Sequence, residues 1–169
     1  LILAEKKYEV NGEKCFYFSE LFLECRAPLS QKSKLDIVTR AVDQVAKKYY
    51  GDEDAQKKME IKDIICNELE EQGEIKVSEL REKVFPGSPE MLEELDEKLD
   101  RYNLSYETVA PKNEQTIKKF QKQKLYTDTG IEITIPMEEY RNPDHVEFIT
   151  NMDGTISVLI KNIGMLSSK

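Results

Sequence analysis

The chain has 169 residues, of which 39% are hydrophobic and 34% are charged. A chain of this length buries roughly 70% of its unfolded surface, which allows one domain or two small ones with a real core. The 33 acidic side chains outnumber the 25 basic ones, and the formal net charge of -8 excludes a nucleic-acid-binding protein that is basic over its whole surface. No apolar run approaches the roughly 18 residues that a membrane-spanning helix needs, so we expect a cytoplasmic protein without a membrane partner.

The first part of the chain predicts a hairpin followed by two helices. Asn11 and Gly12 separate two short runs of alternating residues, which is typical of a two-residue hairpin turn. Apolar residues then recur at helical spacing over residues 33–51 and again over residues 52–72. A glycine closes or follows each stretch, as is common at helix ends. We therefore treat residues 1–72 as an N-terminal hairpin plus a two-helix segment.

Two shorter helices are expected next. Ser78 is a suitable N-cap for the first, and Pro86 with Gly87 interrupts it. Ser88 then begins the second helix, because the Pro89 that follows fits a first helical turn. The pair resembles a helix-turn-helix in its spacing, but its second helix carries six acidic and two basic side chains. Such a helix is poorly suited to a phosphate-lined groove, so we do not expect it to enter DNA.

The remaining residues predict strands around one further helix. Residues 104–110 have the pattern of a strand, and Asn113 can cap a helix that extends to about Lys124. The final strands are expected at residues 131–135, 146–150 and 155–161. Residues 73–169 are thus expected to form an α+β segment that ends in a three-stranded antiparallel meander. With the central amphipathic helices and the N-terminal hairpin, the whole chain is expected to be one compact α+β unit.

The sequence contains no recognisable catalytic, cofactor-binding or metal-binding motif. The three cysteines include no C-x-x-C pair, which argues against a disulfide framework and against a zinc site. No glycine-rich phosphate-binding loop occurs. His145 is the single histidine, and its neighbour Asp144 would point to the opposite side of an extended segment, so the two are a poor acid–base pair. We expect a protein that is not an enzyme and that needs no cofactor or metal.

Acidic and basic side chains are unevenly distributed along the chain. Residues 52–100 carry a net charge of -10, whereas residues 101–130 carry +3. In the helix expected at residues 113–124, Ile117 and Phe120 mark the inward side, and lysines cover an arc of about 100° on the far side. Such an arc could follow a phosphate backbone, although exposed lysines are also common on helix faces that bind nothing. The candidate DNA-binding residues are Lys112, Lys118, Lys119, Lys122 and Lys124.

Four stretches of the chain form a pattern that can be compared with known families. They are residues 73–80 (GEIKVSEL), 111–120 (PKNEQTIKKF), 130–136 (GIEITIP) and 146–163 (VEFITNMDGTISVLIKNI). In their order and in their amino-acid sequences they resemble the C-terminal half of the bacterial nucleoid-associated protein family typified by NdpA, also called YejK. The resemblance covers residues 73–165, and residues 33–72 are compatible with it in helix layout.

This resemblance implies a DNA-associated protein of the cytoplasmic nucleoid, longer than the present chain and without known enzymatic chemistry. The chain starts at Leu1 in a strand-like pattern, which agrees with a C-terminal fragment whose partner is the missing N-terminal half. Our leading hypothesis is non-specific binding of double-stranded DNA through the lysine-bearing helix face. The alternative is a module for protein interaction or homodimer formation, with DNA contact made elsewhere.

Overall fold

The structure is a computed structural model that describes residues 6–10, 13–16, 29–51 and 54–167. Its contacts divide the chain into two compact units, residues 1–30 and residues 31–169. Helices and antiparallel strand pairs alternate along the described chain, which confirms the expected α+β class.

The first unit contains a hairpin. Strand β1 (Lys7–Val10) pairs antiparallel with β2 (Glu13–Phe16), and Val10 lies opposite Glu13. This register leaves two residues for the connection, as a two-residue hairpin requires. The pairing confirms the hairpin predicted from the sequence, while the turn at residues 11–12 lies outside the described residues.

Two long helices open the second unit, and both were predicted. Helix α1 (Gln31–Tyr50) ends at Gly51, whose positive φ of 84° is a backbone conformation that glycine adopts without strain. Helix α2 (Ala55–Glu71) begins at Asp54, whose carboxylate accepts a hydrogen bond of 2.9 Å from the backbone N–H of Lys57. Both helices have a buried apolar stripe, so tertiary packing adds to their local helix signals.

Two short paired strands precede and follow the next two helices in the sequence. Strand β3 (Ile75–Lys76) leads directly into α3 (Val77–Val84), and α4 (Pro89–Asp100) follows with proline in its first turn. Strand β4 (Thr108–Val109) pairs antiparallel with β3. The N-cap of α3 is therefore Lys76, and the prediction of Ser78 is wrong because the helix begins as soon as the β3 pairing ends.

The strand expected at residues 104–110 is shortened to β4. Residues just before it close helix α4 instead. Asn103 adopts a positive φ of 54°, and the backbone N–H of Leu104 donates to the carbonyl oxygen of Leu99 at 3.1 Å. These backbone groups are satisfied by the helix end, so they do not extend the strand pair.

The helix predicted at residues 113–124 is also longer than the helix in the structure. Helix α5 covers Glu114–Lys118, and the chain then becomes strand β5 (Lys122–Tyr126), which pairs with β6 (Glu132–Pro136). Alternate residues of β5 are half-buried, which fits a strand period of two and not a helix. Pairing with the apolar β6 therefore outweighs the helix propensity of this lysine-rich segment.

Two hairpins end the described chain. Helix α6 (Met137–Tyr140) and a turn follow β6, and β7 (Val146–Thr150) then pairs with β8 (Ile156–Ile160). Since α6 intervenes, β6 pairs with β5 and not with β7, and the last antiparallel strands form two ladders instead of one three-stranded ladder.

Helix α2 separates two buried apolar clusters. Its Ile61, Ile65 and Leu69 belong to the larger cluster, which includes the buried sides of α1, α3 and α4. Its Met59 and Cys66 belong to a smaller cluster under β6, α6 and β7. The α5–β5 turn adjoins both clusters, because Phe120 packs against each of them. No helix in the described ranges is long and apolar enough to cross a membrane.

Candidate nucleic-acid interface

The candidate lysines lie on three consecutive pieces of structure. Lys112 precedes α5, Lys118 and Lys119 lie at its C-terminal end, and Lys122 and Lys124 lie on β5. All of them are exposed. The predicted arc on one continuous helix is wrong, because the helix ends before Lys122. A role of these residues in DNA binding stays a prediction.

Strand geometry creates a different shared surface. Lys122, Lys124 and Tyr126 alternate with half-buried residues, so they point to the same exposed side of β5. Thr134 lies opposite Lys124 on β6 and therefore shares that side. We call these four residues the outer hairpin face. Its lysines are about 7 Å apart along the strand, which is the distance between alternate strand residues.

The positive charge of this region is largely uncompensated. Lys118 lies 3.6 Å from Glu114, but both side chains are mostly exposed, so this pair is weak. Within the part of the chain that the structure describes, Lys112, Lys119, Lys122 and Lys124 form no ion pair with a carboxylate. Four exposed ammonium groups are thus available to an anionic partner.

Contacts with α2 and with the smaller apolar cluster hold the outer hairpin face in place. Lys62 on α2 donates hydrogen bonds of 2.7 Å to the carbonyl oxygen of Lys122 and to the side-chain oxygen of Gln123. Loss of hydration lowers the pKa of Lys62, while the nearby Asp43 carboxylate raises it and offsets part of this effect. Leu125 packs against the smaller apolar cluster from the inner side of β5. The strand is therefore fixed to α2 at its start and to the core at its middle.

A groove lies on the inner side of this strand. It has a volume of about 420 Å³ and separates parts of α1, α2 and the α5–β5 turn. We call it the cationic groove, and it is lined by Thr39, Asp43, Lys47, Lys58, Ile61, Lys62, Ile65, Phe120 and Gln123. Three lysines and one aspartate contribute to this lining, and Lys47 and Lys58 also have interaction partners.

Sequence reasoning missed the lysines of the groove. Lys58 and Lys62 lie within the acidic segment 52–100, and Lys47 lies just before it, so their charges did not stand out in the net charge of a segment. One signal for them was present. Asp43 and Lys47 are four residues apart on α1, and Lys58 and Lys62 are four residues apart on α2. Each pair therefore shares a helix face. Only the packing of α1 against α2 brings the two faces to one groove.

An ion-pair cluster fastens α6 to α2. Arg141, which follows α6, donates to Asp63 at 2.5 Å and to Glu70 at 3.0 Å. Burial acts to raise the pKa of Glu70, but hydrogen bonds from Arg141 and Gln121 outweigh it, and the pKa of Glu70 falls below its usual value. The guanidinium loses hydration, yet its two carboxylate partners raise the pKa of Arg141. This cluster therefore joins the end of α6 to α2, next to the smaller apolar cluster to which Cys66 and Met137 belong.

The structure gives the contacts of the residues that sequence reasoning considered for chemistry. His145 contacts Glu139 at 2.5 Å, and its sequence neighbour Asp144 uses its backbone N–H to bond the side chain of Asn142. Burial raises the pKa of the Cys66 thiol to about 11, so this cysteine is a poor nucleophile. Across the described ranges, no group of histidine, cysteine and carboxylate side chains has the arrangement of a metal site.

The acidic helix α4 is a separate surface. It packs on α1 and exposes Glu90, Glu93 and Glu97 to solvent. An exposed row of carboxylates repels a phosphate backbone, which is consistent with the sequence-based argument against a helix-turn-helix role.

Comparison with protein-family models gave a match to the family described as nucleoid-associated protein YejK, over residues 2–165. This range includes the outer hairpin face and the cationic groove. Searches of curated proteins and of solved structures gave no significant match.

Proposed function

This chain belongs to the nucleoid-associated protein family typified by YejK, and from that premise we propose that it binds double-stranded DNA through the outer hairpin face. The observation that carries the proposal is the set of exposed lysines without carboxylate partners, around Lys122 and Lys124 on β5. Lysine side chains bind phosphates as point charges and do not read base edges. The binding is therefore expected to have little sequence preference.

The neighbouring side chains suit a phosphate-and-sugar contact. Tyr126 is 66% exposed, and its hydroxyl can donate to a phosphate oxygen. Thr134 offers a second hydroxyl on the same side. Glu132, opposite Tyr126, is the single carboxylate on this side of the β5–β6 ladder and limits the contact at that end.

The test compares two variants of equal charge. Lys122→Gln/Lys124→Gln removes two lysines from the outer hairpin face. Lys76→Gln/Lys83→Gln removes two exposed lysines elsewhere, each of which is paired with a glutamate. Duplex affinity is measured by fluorescence anisotropy across a salt series, with circular dichroism to verify folding.

We expect the first variant to reduce the slope of log affinity against log salt by about 1.8, because each lost phosphate contact lowers it by about 0.9. The control should change the slope much less, since its lysines lie elsewhere. Equal effects of the two variants would show that net charge alone matters and would refute a role of the outer hairpin face.

The proposal places the protein at the nucleoid in the cytoplasm and includes no catalytic step or cofactor. We also propose that this chain is part of a longer polypeptide, whose N-terminal part is its covalent partner. A native-size measurement of the protein from cells checks this last point, because a product of about 20 kDa would contradict it.

A second candidate function is formation of a homodimer through β8. Within the described chain, β8 pairs only with β7 and leaves one edge open. Its Ile156, Leu159 and Ile160 are 42%, 46% and 52% exposed, and the strand has no charge that would oppose a second copy.

This candidate is tested by light scattering over a concentration series. We expect a dimer that Leu159→Lys converts to a monomer, whereas Ile131→Lys, at another exposed isoleucine, leaves it unchanged. A wild-type chain that remains monomeric at every concentration excludes the dimer.

A further inference from the structure

We propose that the face formed by α1 and α4 binds a second copy of this chain, with the two α4 helices antiparallel. This surface consists of two adjacent grooves between the helices. One groove, of about 280 Å³, is lined by Arg40, Arg101 and Tyr102 among others, and the other, of about 420 Å³, by Glu90, Glu93 and Glu97 among others. We call the surface the bipolar face, because the first groove is its cationic end and the second is its acidic end. It shares no residue with β8 or with the outer hairpin face.

The two kinds of charge lie at opposite ends of one side of α4. Glu90, Glu93, Glu97 and Arg101 follow one another at steps of three or four residues, so they share the exposed side of the helix and its C-cap. The distance from Glu90 to Arg101 along the helix axis is about 16 Å. A two-fold rotation that makes two such helices antiparallel brings the Arg101 end of each copy opposite the Glu90 end of the other. The bipolar face is therefore complementary in charge to itself.

Helix α1 contributes to the same polarity. Lys48 donates a hydrogen bond of 2.5 Å to Glu94, whereas Arg40, about two turns before Lys48, lines a groove together with Arg101. The two helices are therefore antiparallel, and Arg40 adds a second guanidinium to the cationic end. The charges within α4 also suit its own dipole, but that effect does not account for Arg40, because Arg40 belongs to another helix.

The charges at the two ends are available for a contact. Within the part of the chain that the structure describes, no ion pair is formed by the residues that the contact uses, which are Arg40, Arg101, Glu90, Glu93 and Glu97. The middle of the face is different, because Glu94 pairs with Lys48 at 2.5 Å and with Lys98 at 3.7 Å. These two lysines already have a partner in their own copy, and the contact does not depend on them.

Tyrosines and the order of the charges favour a second copy over other occupants. Tyr102 is 51% exposed at the cationic end, and Tyr49 is 39% exposed and lines the acidic end. Tyrosine and arginine are enriched in the parts of protein interfaces that contribute most to binding. The carboxylates would repel a DNA backbone, and a partner of uniform charge would be attracted by one end only. A second copy supplies both signs of charge in the required order.

The contact is expected to be weak in the free protein. Ion pairs between exposed side chains contribute little, and salt screens them. We therefore expect a dissociation constant of about 1 mM at low salt. Copies bound side by side on DNA have a higher effective concentration, so the contact is expected to matter most in such an assembly.

The experiment mixes two variants of the full chain. The acidic variant, Arg40→Glu/Arg101→Glu, reverses the cationic end, and the basic variant, Glu90→Arg/Glu93→Arg, reverses two charges of the acidic end. All proteins also carry Leu159→Lys, so that β8 does not contribute to association. From a net charge of -8, both variants remain negative, because each changes the charge by four units and Leu159→Lys adds one. Net charge therefore does not draw the two variants together.

The assay is an NMR titration of the isotope-labelled acidic variant with the unlabelled basic variant, in about 20 mM salt, where screening is weak. Circular dichroism verifies that each variant is folded. The control mixes Lys76→Glu/Lys83→Glu with Asp128→Arg/Glu138→Arg in the same Leu159→Lys background. These four side chains are exposed and lie outside the bipolar face, and the changes in charge are the same.

We expect saturable amide shifts at Gln44 and Tyr102 when the acidic and basic variants are mixed. The dissociation constant should be at least about tenfold lower than for the Leu159→Lys parent, because opposite charges then face each other at both ends. Each variant alone should associate more weakly than the parent, since like charges then meet. Salt at about 1 M, where the Debye length is about 3 Å, should abolish the shifts. The control mixture should behave like the parent.

The proposal is overturned if the acidic and basic variants show no mutual shifts on the bipolar face, or if the control mixture associates equally well. DNA as the occupant is tested with a duplex short enough for one copy. A greater loss of duplex affinity in the acidic variant than in Lys76→Glu/Lys83→Glu, which has equal charge, would show that DNA contacts the cationic end and would also overturn the proposal. The Lys122→Gln/Lys124→Gln variant separates this contact from the proposed DNA binding, because its self-association should persist even if its duplex affinity is lost.

Discussion

Removal of Arg141 tests the ion-pair cluster that joins the end of α6 to α2. Its guanidinium joins Asp63 and Glu70 of α2, and the side chain is 31% exposed. A well-desolvated hydrogen bond to a charged group contributes about 1.5–3 kcal/mol. Partial exposure reduces each of these two bonds to about 1 kcal/mol. Arg141→Met, which keeps much of the aliphatic volume, should therefore lower the free energy of unfolding by about 2 kcal/mol.

The assay is chemical and thermal unfolding followed by circular dichroism. For a chain of 150–250 residues, 1 kcal/mol corresponds to about 2–4 °C in Tm, so Arg141→Met should lower Tm by about 4–8 °C. A double-mutant cycle with Asp63→Asn isolates one pair, and we expect a coupling energy of about 1 kcal/mol. The matched control is Arg101→Met, on an exposed side chain that forms no ion pair within the described ranges.

The same cluster makes a prediction about pH. Because the folded protein lowers the pKa of Glu70, its contribution to stability is present above the unfolded pKa and is lost as pH falls through the folded pKa. The difference between wild type and Arg141→Met should therefore shrink below the ordinary glutamate pKa of 4.5. A coupling energy near zero, or a difference that does not depend on pH, would refute the reasoning.

Two further predictions concern local features. In a Cys15→Ser/Cys25→Ser background, Cys66 should react with a thiol reagent at pH 8 more than about 100-fold more slowly in the native protein than in denaturant, because burial raises its pKa to about 11 and blocks access. Comparable rates in the two states would contradict this explanation. Gly73→Ala should cost about 1 kcal/mol, since Gly73 has a positive φ of 69° and no atom within 4 Å of an added Cβ, so backbone strain is the main cost. The control Gly164→Ala has the same open space without the positive φ, and equal stability of the two variants would show that strain at Gly73 is absent.

The elements predicted correctly are those whose signals are local. In α1 and α2 an apolar stripe, a capping side chain or a terminal glycine all lie within the helix or at its ends. The hairpins β1–β2 and β7–β8 have their turn residues between their strands. Each of these patterns can be recognised without knowing what the element packs against.

The segment at residues 113–124 shows where such signals are insufficient. Its lysines and glutamines favour a helix, and Asn113 does cap one, with its side chain accepting a hydrogen bond from Gln115. The segment nevertheless becomes β5 from Lys122 onward, because β6 supplies the backbone partners and buries Leu125. That stabilisation comes from residues farther along the chain, so no window within the segment reveals it.

The amino-acid sequence was sufficient for the α+β class, for the family resemblance that the family match confirms, and for the exposed lysines as a group. Only the tertiary structure decided how charges are combined into surfaces. The net charge of -10 over residues 52–100 sums every face of the helices, including Lys58 and Lys62. A binding site uses one face of each element, and packing of α1, α2 and the α5–β5 turn selects which faces meet. Lysines of α1 and α2 can therefore line one groove although α2 belongs to an acidic segment.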